Sequence, residues 1–138
     1  TSNAWFWQGE CNYQMKNYAG AALAYENVIA GFPNSSKAPA SYLKQGMSFL
    51  QLGKKAVDQA MRIRTALLER GFAFQVDSPT NQLFPIFTDA QWEKIEELGF
   101  KLEFNGRLDE EHVVLRVCTS WCTPDEYVDK FIDMLKEL

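Results

Sequence analysis

Two rhythms of apolar residues divide the chain. Between residue 4 and about residue 70 they recur at steps of three and four, the spacing that gathers side chains on one face of an α-helix. Ala4, Trp5, Gln8 and Gly9 open a helix predicted to run through Tyr13, and Tyr18, Ala21, Ala22, Tyr25, Val28 and Ile29 line a second. Phe32-Pro33-Asn34-Ser35-Ser36 stops it with turn chemistry, since Pro33 has no backbone N–H to donate. Ala40, Leu43, Gly46, Met47 and Leu50 share the apolar face of a third helix, with Gly53 as its predicted end. Ala56, Val57, Ala60, Ile63, Leu67 and Leu68 line a fourth, closed by Gly71.

Beyond Gly71 the period shortens to two. Phe72, Phe74 and Val76 alternate as in a half-buried strand, and Asp77-Ser78-Pro79-Thr80 reads as a turn. Leu83-Phe84-Pro85-Ile86-Phe87 is a second strand, which Pro85 confines to an edge or a bulge. Asp89 is the expected cap of a helix with Ala90, Trp92, Ile95 and Leu98 on its apolar face, ended by Gly99. Phe100, Leu102 and Phe104 alternate again, and Asn105-Gly106 supplies a turn signal. Val113, Val114, Leu115, Val117 and Cys118 form the run with the strongest strand character. Thr123-Pro124-Asp125-Glu126 starts a final helix with a cap, a first-position proline and two acids suited to the helix dipole. Tyr127, Val128, Phe131, Ile132 and Leu135 give that helix its apolar face. The predicted class is α+β: antiparallel helix pairs, then a small antiparallel sheet covered by helices on one face.

Composition narrows the function classes. The chain has 138 residues, 14 Lys and Arg against 18 Asp and Glu, and a formal net charge of −4. That mild acidity lacks the basic stripe of a nucleic-acid binder. With 46% apolar and 14% aromatic residues there is ample material for a core. No apolar run reaches the roughly 18 residues a membrane span needs, and the start lacks the layout of a secretory signal. The compartment stays open, and Thr1-Ser2-Asn3-Ala4 reads as a tag remnant or the cut edge of a longer protein. Three cysteines, Cys11, Cys118 and Cys122, make no disulfide framework. The single histidine, His112, leaves Cys118 and Cys122 without partners for a metal site, so they read as buried apolar thiols or neutral surface thiols.

Ala4-Trp5-Phe6-Trp7-Gln8-Gly9, followed by Tyr13, Tyr18, Ala21, Tyr25 and Pro33, resembles a tetratricopeptide repeat. Such a repeat uses small residues where its paired helices touch, aromatics to fill the gap and a proline to end the unit. Gly9 and Ala21 are the small contacts here, and Trp5 and Tyr25 the fillers. A second copy begins well, with Gly46 lying 37 residues after Gly9. Asn34-Ser35-Ser36-Lys37-Ala38-Pro39 is similar to the linker in the carboxy-terminal repeats of periplasmic Tol-associated, cell-division-coordinating proteins. The copy then fails. Asp58 stands where Ala21 stood, and no Phe-Pro terminator follows near residue 70. About one and a half repeats fall short of the roughly three a solenoid needs, so this half has to bury its open face on something else. The aromatic stripe of Trp5, Trp7, Tyr13 and Tyr25 reads either as core or as an interaction surface for a peptide.

From about Ala56 to Leu138 the chain resembles the small carboxy-terminal domain of low-specificity threonine aldolases and related β-eliminating lyases, pyridoxal-phosphate enzymes of the aspartate-aminotransferase-like fold. Three stretches carry the likeness: Ala60-Met61-Arg62-Ile63-Arg64, then Val76 through Pro85, then Val114-Leu115-Arg116-Val117-Cys118-Thr119-Ser120-Trp121. The resemblance implies that Arg116 is a ligand for a substrate carboxylate, which a planar guanidinium grips through two parallel bonds. The residues themselves leave a strand arginine facing outward, or one paired with an acid, as the other reading. The chemistry of these lyases also needs a lysine in Schiff-base linkage, an aspartate at the pyridine nitrogen, a phosphate cradle and a ring-stacking histidine. In the family those groups precede the segment present here. No glycine-rich phosphate loop is visible in this chain, no lysine sits in a matching motif, and His112 in Glu110-Glu111-His112 reads as a surface residue.

The expected seam lies at Gly53-Lys54-Lys55-Ala56, giving repeat-like helices over 1–55 and a lyase-like region over 56–138. The combination reads as an engineered or recombined chimera, with a truncated natural fusion as the alternative. Three functions follow: a non-catalytic structural or interaction protein with no cofactor, no catalytic residue and no metal; a fragment of a pyridoxal-phosphate-dependent lyase; or a peptide-binding adaptor. The expected partners are a second copy of the chain, a protein or a peptide, and neither nucleic acid nor membrane.

Overall fold

A computed structural model describes all residues, Thr1–Leu138, and divides into two compact units, Thr1–Lys54 and Lys55–Leu138. The fold is mixed, with five α-helices and a small antiparallel sheet.

The first unit is built from α1 (Ser2–Gln14), α2 (Tyr18–Gly31) and the first part of α3 (Ala38–Glu69). Thr1 caps α1 by accepting from the Ala4 N–H at 3.3 Å, and Asn17 caps α2 by accepting from Gly20 at 3.2 Å. The turn between them places Lys16 at φ 61°. Its small residues let α1 and α2 approach closely. A Cβ added to Gly9 would lie 2.5 Å from the Tyr25 ring, so only glycine fits there. Phe6, Ala21, Tyr25 and Val28 form the core of this unit, with Tyr13 and Ala40 packed at its margin.

Helix α3 departs from the sequence expectation in two ways. Gly53 does not end a helix; one helix runs unbroken from Ala38 to Glu69. Glycine at an interior position costs about 1 kcal/mol relative to alanine, too little to break a helix flanked by good helix formers. Beyond Ala40, the expected apolar face is also turned to solvent. Leu43 and Leu50 are 65% and 70% exposed, while Ser41 and Ser48, on the opposite face, are fully buried. Lys44 and Gln45 on that buried side reach Glu10 and Glu26 at 3.1 and 2.6 Å.

The second unit holds the rest of α3 together with β1 (Gln82–Leu83), β2 (Ile86–Thr88), α4 (Asp89–Glu97), β3 (Glu103–Arg107), β4 (His112–Cys118) and α5 (Asp125–Met134), which ends in a short 3₁₀ turn over Leu135–Glu137. β4 is the central strand. It pairs antiparallel with β3 on one side and with β1 and β2 on the other. β1 and β2 follow one line interrupted at Phe84-Pro85, where Pro85 can accept from the Leu115 N–H at 3.1 Å but has no donor of its own. The strand expected over residues 72–76 is reduced to a single bridge, Phe74 to Pro85. Val113, Leu115 and Val117 of β4 face Ala60, Ile63, Leu67, Ile95, Val128 and Phe131 from three helices, and this is the main core.

Three local boundaries move. Asn105-Gly106 is not a turn but lies within β3, where the register shifts between Phe104 and Gly106 as in a β-bulge. The chain reverses instead near Asp109, whose carboxylate accepts from the Glu111 and His112 N–H groups at 2.9 and 2.8 Å. The cap of α4 is Thr88 rather than Asp89, through a capping box with Gln91. Pro124, not Thr123, is the cap residue of α5.

Candidate functional site

Alternation along β4 points Val113, Leu115 and Val117 into the core and places Arg116 on the opposite side of the strand. Its register partner on β3 is Glu103. The Arg116 Nε donates to Glu103 Oε2 at 3.1 Å, and Nη2 pairs with the same oxygen. The hydrogen bond and charge of Arg116 hold the Glu103 carboxyl below its ordinary range, and Glu103 in turn raises the guanidinium. Both side chains are open to solvent, so salt and water screen the pair. The structure thus places Arg116 beside an acid of its own sheet.

Arg116 and Glu103 stand at the rim of a cleft of about 330 Å³ whose apolar wall includes Ile63, Phe100, Leu102, Tyr127 and Phe131. Behind it, hydrogen bonds pin the Thr119-Ser120-Trp121 segment. Thr119 Oγ1 donates to the Ala56 carbonyl at 2.6 Å, and Asn81 Nδ2 donates to the Thr119 carbonyl at 2.7 Å. Gln59 Nε2 donates to the Thr123 carbonyl and to Asp125 at 2.9 and 2.7 Å. Two of the three stretches that carry the likeness, 76–85 and 114–121, are therefore neighbours, joined through Gln82–Cys118 and Leu83–Val117. Asn81 lies in the Val76–Pro85 stretch named from the sequence, whereas Glu103 and Gln59 are not among the residues named there. Of those two, only Glu103 carries a signal, its place in the alternating segment before the last hairpin.

The residues at this cleft do not compose a pyridoxal-phosphate site. Its lining contains one lysine, the exposed Lys101, no aspartate and no histidine, and its one carboxylate is engaged by Arg116. His112 lies elsewhere, with Nδ1 2.9 Å from Asp109. Cys11, Cys118 and Cys122 are all free and exposed, so the buried-thiol reading does not apply to them. No group of three His, Cys, Asp or Glu residues is arranged to hold a metal ion.

In the first unit the four aromatic candidates separate. Trp7 is 58% exposed and Trp5 37%, whereas Tyr25 is fully buried and offers no ring to a partner. Tyr25 is in the core because Gly9 leaves room for its ring, and its hydroxyl donates to Glu10 Oε1 at 2.6 Å. Tyr13 is half-buried, edge-on to Tyr18 and beneath Lys44. Burial pushes the Glu10 carboxyl up, but the Tyr25 hydroxyl, Lys44 and Lys37 outweigh it and hold the group below its ordinary value. Burial and the neighbouring Glu10 raise the Tyr25 hydroxyl.

Residues 3–35 match the family model for the tetratricopeptide repeat. A solved threonine aldolase from Leishmania major is similar in structure at a TM-score of 0.65 and 26% identity over 70% of this chain. The chain spans only 28% of that protein's length. No curated protein matches the chain.

Proposed function

We propose that the chain is a non-catalytic structural or protein-interaction chimera. In this reading the repeat-like helices offer the contact surface and the lyase-like unit serves as a folded scaffold. The observation that carries it is the Arg116–Glu103 pair: the guanidinium that would receive a substrate carboxylate is already engaged by one from its own sheet. A lining without a suitably placed lysine, histidine or second acid supports the same reading. Repeats of this type generally mediate contacts between proteins, which supports a protein or peptide as the partner class. The test is absorbance after incubation with pyridoxal phosphate. No stable internal-aldimine band is expected, and a band lost on substitution of one particular lysine would sink the reading.

The likeness to a threonine aldolase favours a second reading, that the chain is a fragment of such a lyase and keeps weak amino-acid binding at Arg116. Calorimetric titration with glycine or threonine separates the two. Binding abolished by Arg116→Ala and strengthened by Glu103→Gln supports the fragment, while absence of heat in all three proteins supports the scaffold.

A further inference from the structure

The second unit holds another cavity, of about 470 Å³, at the end of the sheet where β4 begins. Phe72, Ile86, Leu135 and Leu138 are its apolar walls. The polar side chains around it keep acceptors occupied and leave donors over. Thr88 Oγ1 accepts from the Gln91 N–H at 3.2 Å, and Gln91 Oε1 accepts from the Thr88 N–H at 2.9 Å. The capping box thus leaves the Thr88 hydroxyl proton and the Gln91 amide NH2 to donate elsewhere. Arg70 lines the same cavity and makes no ion pair. Lys136 pairs with Asp133 at 2.6 Å, three residues away and exposed, an interaction worth little in water. His112, the register partner of Thr88, completes the lining with its Nδ1 turned to Asp109. No Asp or Glu belongs to the lining.

We propose that this cavity binds a small organic phosphate monoester. Four side chains with donors to give, two of them cationic, call for a ligand that presents oxygens and negative charge. A phosphate offers three such oxygens and a carboxylate two, so the phosphate uses the donor set more completely. The planar Arg70 guanidinium suits two of those oxygens at once, and Lys136 adds a point charge. The apolar walls call for a carbon body beyond the ester oxygen. The volume lies within the ordinary range for small-molecule sites. The walls are also fixed in place: Leu135 is 1% exposed, Ile86 is paired with Val114, and the Phe72 ring packs 5.1 Å from that of Phe87. This site shares no residue with the Arg116 cleft and goes beyond the scaffold reading.

His112 is the single histidine of the chain, so its ring resonances report on this cavity alone. Phenyl phosphate is titrated into the full chain at fixed pH and ionic strength while the His112 Hε1 signal is followed by NMR. A saturable shift is expected, with a midpoint of about 0.1–1 mM for a ligand of this size. Arg70→Gln and Lys136→Gln are each expected to raise the midpoint by about fivefold or more, with the circular dichroism unchanged because both side chains are exposed. Lys130→Gln removes the same charge from α5 outside the cavity and is expected to leave the midpoint where it was. Inorganic phosphate, which lacks the carbon body, and benzoate, which lacks the third oxygen, are both expected to bind more weakly. No saturable shift, an equal loss in Lys130→Gln, or a midpoint for either control anion as low as that of phenyl phosphate would each overturn the proposal.

Discussion

The two units bury apolar surface by different means. The second stacks β-branched and aromatic residues of a sheet against three helices, and fourteen buried residues form one cluster. The first has a cluster of four, and much of what it hides is alanine on α2. It relies on close approach instead: Gly9 against the Tyr25 ring, and a Tyr25–Glu10–Lys44 chain that satisfies the polar groups drawn in with it. A wide core loses stability through cavities, whereas a narrow one loses it through bulk added in the wrong place. The comparison can be broken from either side.

The largest effect is expected in the wide core. Phe87→Ala and Leu115→Ala empty positions that are 1% and 0% exposed and should each cost about 3–4 kcal/mol in urea unfolding. A loss below about 1 kcal/mol would show that this core is not close-packed. Next comes Gly9→Ala. Alanine gains up to about 1 kcal/mol of helix propensity, but its Cβ collides with a buried ring, so a net loss of about 1–3 kcal/mol is expected from the helical signal. A net gain would show that the Tyr25 ring can move aside.

Tyr25→Phe keeps the ring and removes its hydrogen bond to Glu10, with an expected loss of about 1 kcal/mol. The same pair gives a pH signature. Glu10 titrates lower in the folded chain than its ordinary value of 4.5, so its contribution is present above that value and is lost as the pH falls through the folded value. The acid side of the stability profile should therefore be shallower in Tyr25→Phe, and identical profiles would show that the hydroxyl does not hold the carboxylate down. The smallest effect belongs to Arg116→Ala, which removes an exposed ion pair. No measurable shift of the urea midpoint is expected, and a clear one would make the pair part of the structural frame.

How much was legible in the sequence depended on how local each feature is. The strand over 113–118 was plain because a run of valine and leucine has few other good solutions. The two helices before Pro33 were equally plain from their three- and four-residue spacing. Periodicity says which residues share a face but not what covers it, so it does not reveal that Leu43, Met47 and Leu50 face water while Ala40 on the same face packs on the first unit's core. Asn105-Gly106 carries a strong turn signal, yet pairing of β3 with β4 absorbs it as a bulge. The partner of Arg116 was invisible for a similar reason. Glu103 becomes its neighbour only once the hairpin register is fixed, and register is set jointly by the turn and by which face must be buried.

The edge of the sheet at β3 carries a consequence for behaviour at high concentration. An open strand edge is a template on which another chain can add by backbone hydrogen bonding. Here that edge begins with Glu103, ends with Arg107 held by Asp89 at 2.8 Å, and is kinked at its middle by the bulge. Charge at both ends and a broken ladder between them deny an incoming strand a straight run of donors and acceptors. Fibrillar stacking of one molecule on the next is thereby discouraged where the second unit's sheet is otherwise most open to it.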